Sequence, residues 1–154
     1  MGRARGCVAV VFVFGVAGCG GGGGGTGPTQ SAPMIQVAGS YPTAVALLDN
    51  DCGAVSVQPN TTTVTHVPGA ARLTLGHAGL TYNGSLAGDG TFTTDPLDVR
   101  DQDGSTLTIR ITGRFTLTGF DATVTVDVAR AAGSRCRYQV RWTGTKQGGP
   151  NVLP

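Results

Sequence analysis

"TLTIRITGRFTLT", residues 106–118, changes side at every residue. Leu107, Ile109, Ile111, Phe115 and Leu117 fall on one face, and Thr106, Thr108, Arg110, Thr112, Arg114, Thr116 and Thr118 on the other. A period of two is that of a β-strand with one dry and one wet face. Two further runs repeat it. Ala122, Val124, Val126 and Val128 alternate with Thr123, Thr125 and Asp127, and Cys136, Tyr138, Val140 and Trp142 alternate with Arg137, Gln139, Arg141 and Thr143. Gly119-Phe120-Asp121 and Ala131 to Arg135 are short enough to join these runs as hairpins.

Upstream, the spacing predicts strands over 35–48, 54–58, 61–67, 72–77, 80–86, 91–94 and 97–100. Pro59-Asn60, Pro68-Gly69, Ala78-Gly79, Asp89-Gly90 and Asp103-Gly104 supply the turns between them. No stretch shows a sustained helical period. All nine acids are Asp, and Lys146 is the only Lys, so good helix formers are scarce beside abundant Thr, Val and Gly. The fold class read from this is all-β, an antiparallel meander. Such a meander avoids exposed edges by closing into an up-and-down barrel, and a two-sheet sandwich is the second choice.

Before the strands lies a different kind of sequence. Arg3 and Arg5 precede an uncharged apolar run from Cys7 to Gly18, and Ala17-Gly18 places two small residues before Cys19. The run rises only about 18 Å as a helix, too short for a hydrocarbon core of about 30 Å, and its layout is that of a secretion signal. Val16-Ala17-Gly18-Cys19 resembles the lipobox of bacterial lipoproteins. That resemblance implies acylation of Cys19, cleavage before it, and attachment to the cell envelope. Gly20 in place of Asp after the cysteine implies the outer membrane. Several acyl chains hold a protein on a bilayer where one does not, at about 0.8 kcal/mol per buried methylene. Gly20–Gly25 and the Pro-containing stretch after them have too little apolar material to bury and read as a flexible tether with a reach of roughly 20 Å. The organisation expected is a signal over 1–18, a lipidated cysteine and tether over 19–34, one β domain over 35–145 and a flexible tail over 146–154.

Loss of Arg3 and Arg5 leaves as many basic side chains as acidic ones. That balance argues against a nucleic-acid partner, whose affinity depends on a basic surface. Cys52 and Cys136 remain as a pair in an exported chain and read as a disulfide; a metal site would have to recruit His66 or His77 as well. No HExxH, CxxC or GxSxG occurs, so the chain is read as non-enzymatic, with no catalytic residue, metal or cofactor assigned. Two polar groupings stand out. Asp98, Asp101 and Asp103 crowd a segment that reads as a solvated hairpin, since an EF-hand would need a Glu. Arg110, Arg114, Arg137 and Arg141 share wet faces, where they keep a sheet soluble or meet an anion.

Gly39-Ser40-Tyr41 near the first strand and Arg141-Trp142 in the last resemble the calycin arrangement, in which an aromatic residue after a glycine meets a late arginine across the closed end of a barrel. Tyr41 stands where those families have Trp. The resemblance implies an up-and-down barrel with Arg141 against Tyr41. Together these readings make the chain a membrane-anchored envelope lipoprotein acting as a structural or interaction module, its partners the membrane and an envelope protein. The alternative is a barrel for a small apolar ligand, and a more distant one is an inhibitor of an envelope-directed hydrolase.

Overall fold

Nine strands carry the alternation, and the computed structural model describes residues 34–154. They are β1 (Gly39–Asn50), β2 (Asn60–His66), β3 (Arg72–His77), β4 (Leu80–Leu86), β5 (Thr91–Thr94), β6 (Leu97–Arg100), β7 (Thr106–Thr116), β8 (Gly119–Ala129) and β9 (Arg135–Thr145). The expected signal, the expected lipidation at Cys19 and the expected tether up to residue 33 lie outside the described residues.

Each strand pairs antiparallel with the next except β5 with β6, β9 returns to pair with β1, and β5 pairs with β7 to close the ring. The result is a closed eight-stranded barrel, the calycin-like layout and the first of the two folds expected. Nine strands make eight staves because β5 and β6 lie end to end along β7. Thr93 pairs with Thr112, whereas Leu97 pairs with Ile109. Asp95-Pro96 interrupts the ladder between them, since proline has no N–H to donate. At this gap the Ile111 N–H donates instead to Thr94 Oγ1 at 2.9 Å, so a side chain replaces the missing strand carbonyl.

The lumen is filled. Tyr41, Phe92, Phe115 and Phe120 form an aromatic cluster at the end where β1 begins, with ring centroids 4.9 to 6.1 Å apart. Leu75, Tyr82, Ile111, Val124, Val126, Val140 and Trp142 occupy the rest, all buried. Gly113 takes an inward position on β7, where an added Cβ would fall 2.7 Å from the Phe92 ring.

Three expectations require correction. Residues 54–58 form no strand; they belong to the loop joining β1 to β2, with Val57 packed against the core. The hairpin between β7 and β8 turns at Leu117-Thr118 rather than at Gly119-Phe120-Asp121. Thr116 pairs with Gly119 and Phe115 with Phe120. A two-residue turn reverses the inward parity, so Phe120 is buried and Leu117, expected on the dry face, is 60% exposed. The segment 146–154, expected as a flexible tail, packs across the end of the barrel: Val152 bridges to Gln36, Leu153 lies on the core, and Asn151 is buried.

Candidate functional site

The two ends of the barrel differ. The β2–β3, β4–β5 and β7–β8 turns and both flanking segments gather at the closed end, where β1 starts. The β1–β2, β3–β4, β6–β7 and β8–β9 loops gather at the opposite end, here called the mouth.

At the closed end a buried polar knot surrounds Tyr41. Its hydroxyl lies 2.6 Å from the Val37 carbonyl and 2.7 Å from Asn151 Oδ1, the two acceptors available to its single proton. Asn151 Nδ2 donates to the carbonyls of Thr116 and Gly119, which assigns the amide orientation. Lys146 Nζ donates to Tyr41 Oη at 3.1 Å and to the Ala38 carbonyl, and sits 4.8 Å above the Tyr41 ring. Burial pushes the Tyr41 phenol up to about 12, against a smaller opposing effect of the Asn151 hydrogen bond, and burial lowers the Lys146 ammonium. Gly39 makes room for this lysine. Its φ is +148°, and a Cβ there would lie 2.7 Å from Lys146 Nζ.

This knot corrects the calycin-like pairing. Arg141 does not meet Tyr41; it points outward on β9, 3.4 Å from Asp121. The cation over the aromatic ring is Lys146, just past the end of β9. Its position as the only lysine in the chain was the available signal.

Towards the mouth a second buried chain runs through the lumen. Thr43 Oγ1 donates to the Tyr41 carbonyl at 2.8 Å, which uses its one proton. The 2.8 Å contact between Thr43 and Thr62 is therefore donated by Thr62, and the 2.8 Å contact between Thr62 and His77 is donated by His77 Nδ1–H. The neutral imidazole thus keeps Nε2 as its bare nitrogen. His77 stacks on Trp142 with ring centroids 3.9 Å apart and planes at 29°. Burial lowers its pKa below 6.5. Tyr82 and Tyr138 complete the lining, and burial, with Tyr138 as a smaller contribution, pushes the Tyr82 phenol up to about 12. His66 lies near the closed end, where Nε2 donates to the Ala70 carbonyl at 2.8 Å and Nδ1 is buried without a partner.

The expected Cys52–Cys136 disulfide is formed, with Cα atoms 5.0 Å apart, and ties the β1–β2 loop to the start of β9. Arg130 donates to the Cys52 carbonyl from the neighbouring loop. Among the described residues one group of three potential metal ligands lies close together, Asp51, Cys52 and Cys136, and its two sulfurs are bonded to each other.

The acidic segment behaves as a solvated hairpin. Asp98 accepts from Thr108, Asp101 from the Gln102 amide, and Asp103 from both the amide and hydroxyl of Ser105, which hold its carboxyl below the usual range. These carboxylates serve their own turns rather than converging. On the outer wall, Arg137 pairs with Asp127 at 2.6 Å, Arg141 leans on Asp121, and Arg114 donates to the Asp89 carbonyl. Arg110 alone of the expected row shows no such acceptor among the described residues. It borders an open cleft of about 700 Å³ with Thr108, Asp127, Arg135 and Arg137.

Comparison with protein-family models, with curated proteins and with solved structures finds no match.

Proposed function

We propose that the chain is a bacterial envelope lipoprotein, held at the outer membrane through Cys19, whose barrel acts as a structural or interaction module through its outside rather than by carrying a ligand or performing catalysis. The observation that supports this most is the occupancy of the lumen. The cluster of Tyr41, Phe92, Phe115 and Phe120 fills the closed half, and Trp142, His77 and Tyr82 fill the other. An eight-stranded barrel is near the size at which side chains alone close the interior, and here large rings take the space that small ones would leave open. The clefts of several hundred Å³ nearest the loaded walls are lined by outward residues such as Arg110, Asp121, Arg137 and Arg141.

Two measurements test the reading. Mass spectrometry of the protein from bacterial membranes is expected to find a mature N terminus at Cys19 carrying acyl chains; an unmodified N terminus overturns the anchor. Titration with an apolar fluorescent probe is expected to leave Trp142 emission unchanged, because the indole is already covered by His77 and Tyr82. A saturable shift, lost in Val140→Phe, replaces the structural reading with that of a small-ligand carrier.

A further inference from the structure

The two ends of the barrel are chemically opposed. In the closed-end segments, residues 34–38, 67–71, 87–90, 117–118 and 146–154, the only charged side chains are Asp89 and Lys146, and Lys146 is folded over Tyr41. The mouth loops carry Asp51, Asp101, Asp103 and Arg130. The three most exposed large apolar side chains of the described residues sit at the closed end, Val67 at 70%, Met34 at 62% and Leu117 at 60%, while the less exposed Leu48 and Leu47 lie on β1 toward the mouth.

These three share one surface. Met34 lies against the β2–β3 turn that bears Val67, since an added Cβ on Gly69 would fall 3.0 Å from the Met34 sulfur and the Gly69 amide donates to the Ile35 carbonyl. From there Gln36 bridges to Val152, and the Asn151 amide donates to the Leu117 carbonyl at 2.9 Å. An apolar rim thus runs from Val67 through Met34 and Val152 to Leu117. Solvation of three large apolar side chains on turns and a flanking segment has no structural return within the barrel.

The 33 residues that precede Met34, with Cys19 among them, join the barrel at this same end. We propose that the closed end rests on the lipid bilayer, with Met34, Val67 and Leu117 entering the interface between head groups and acyl chains and the acidic mouth turned away. The inference rests on the lipid-anchored reading. An acyl anchor alone fixes distance, while an apolar rim around the point of attachment fixes orientation. The rim faces lipid because the tether brings it there, and because the closed end carries a single acidic side chain, Asp89, against the three of the mouth loops.

The test uses the full chain, isolated with its native N terminus and placed in phosphatidylcholine vesicles whose acyl chains are brominated. Leu117→Trp and Val67→Trp report the rim, Gln102→Trp reports the mouth, and the parent chain supplies the background of buried Trp142. All three sites are exposed, so tryptophan is accommodated without repacking. Bromine quenching of the two rim tryptophans is expected to exceed that of the mouth tryptophan at least threefold. Equal quenching at rim and mouth overturns the docking, as does a rim signal that depends on protein concentration and not on bromine, which would mean a second copy covers the surface. Mass analysis of the same preparation judges the anchor separately. If Cys19 carries no acyl chain, the anchor reading fails. A Cys7→Ser chain coupled through the Cys19 thiol to a maleimide lipid then decides the docking by the same quenching ratio.

Discussion

Lys146 Nζ stands 4.8 Å above the ring of Tyr41 and also donates to its hydroxyl, so one cation engages both the face and the edge of a buried phenol. The pair joins the segment after the last strand to the beginning of the first, across the seam where β1 meets β9. Replacing Lys146 with Met keeps the aliphatic stem and removes the charge. A loss of about 1–2 kcal/mol is expected by urea denaturation, with Lys146→Arg intermediate. Tyr41→Phe, which leaves Asn151 Oδ1 short of a donor, is expected to cost about 1–3 kcal/mol. A Lys146→Met chain as stable as the parent would remove the pair from the forces holding the closed end.

The Cys52–Cys136 bridge spans a sequence separation of 84 residues. In the chain-entropy account, opening a loop of that length costs about 4.5 kcal/mol. Cys52→Ser with Cys136→Ser is therefore expected to lower stability by up to that amount, and thiol labelling of the folded, oxidised parent to find neither cysteine. Two reactive thiols in that protein would contradict the bridge.

His77 makes the barrel acid-sensitive in a defined window. Its folded pKa lies below 6.5 because burial disfavours the imidazolium, so the unfolded chain binds the proton more readily. Stability is therefore expected to fall as pH drops from about 6.5 towards the folded value, and to show no further His77 contribution below it. The carboxyls of Asp89 and Asp103, held below 3.8 by hydrogen bonds from Thr91 and Ser105, contribute only at lower pH. In His77→Gln the slope just below about pH 6.5 is expected to flatten relative to the parent; an unchanged slope would assign it elsewhere.

Ala78 holds φ at +49° in the two-residue turn between β3 and β4, beside Gly79 at +81°. Both central residues of that turn have positive φ, a geometry that suits Asn-Gly, whereas the alanine Cβ crowds the following carbonyl. Ala78→Asn or Ala78→Gly is expected to stabilise the domain by about 1 kcal/mol, read as a rise of several degrees in Tm.

Much of the barrel was legible because alternation and turn residues agreed. The bounds of the 72–77, 80–86, 91–94 and 97–100 strands were set by Gly and Pro positions, and the structure keeps them. What failed did so for identifiable reasons. Alternation carried through the reversal puts Leu117 inside, whereas extending the next run back from Ala122 to Phe120 puts the turn at Leu117-Thr118. Val55 and Val57 look like a strand locally, yet the loop they occupy is tied through Cys52 to β9 and finds no neighbour to pair with. The closed-end knot was half visible. Gly39 and Tyr41 stand out in the sequence, but their partners Lys146 and Asn151 lie in a Gly- and Pro-rich stretch with no period, and only the packing shows what they contact.

The interruption at Asp95-Pro96 also sets the order in which the barrel comes apart. β5 holds β4 through Gly84 to Leu86 and β7 through Arg114 to Thr112, three residues on either side, whereas β7 and β8 are matched over their full eleven. The hoop therefore has a clasp. Thermal fluctuation will part it between Thr91 and Thr94 long before it loosens β8, and amide protons there will exchange by a local opening while those of Val124 and Val126 wait for global unfolding. A cut in the chain at residues 95–96 would fall where the ladder is already broken, so new termini placed there should leave the remaining staves in register.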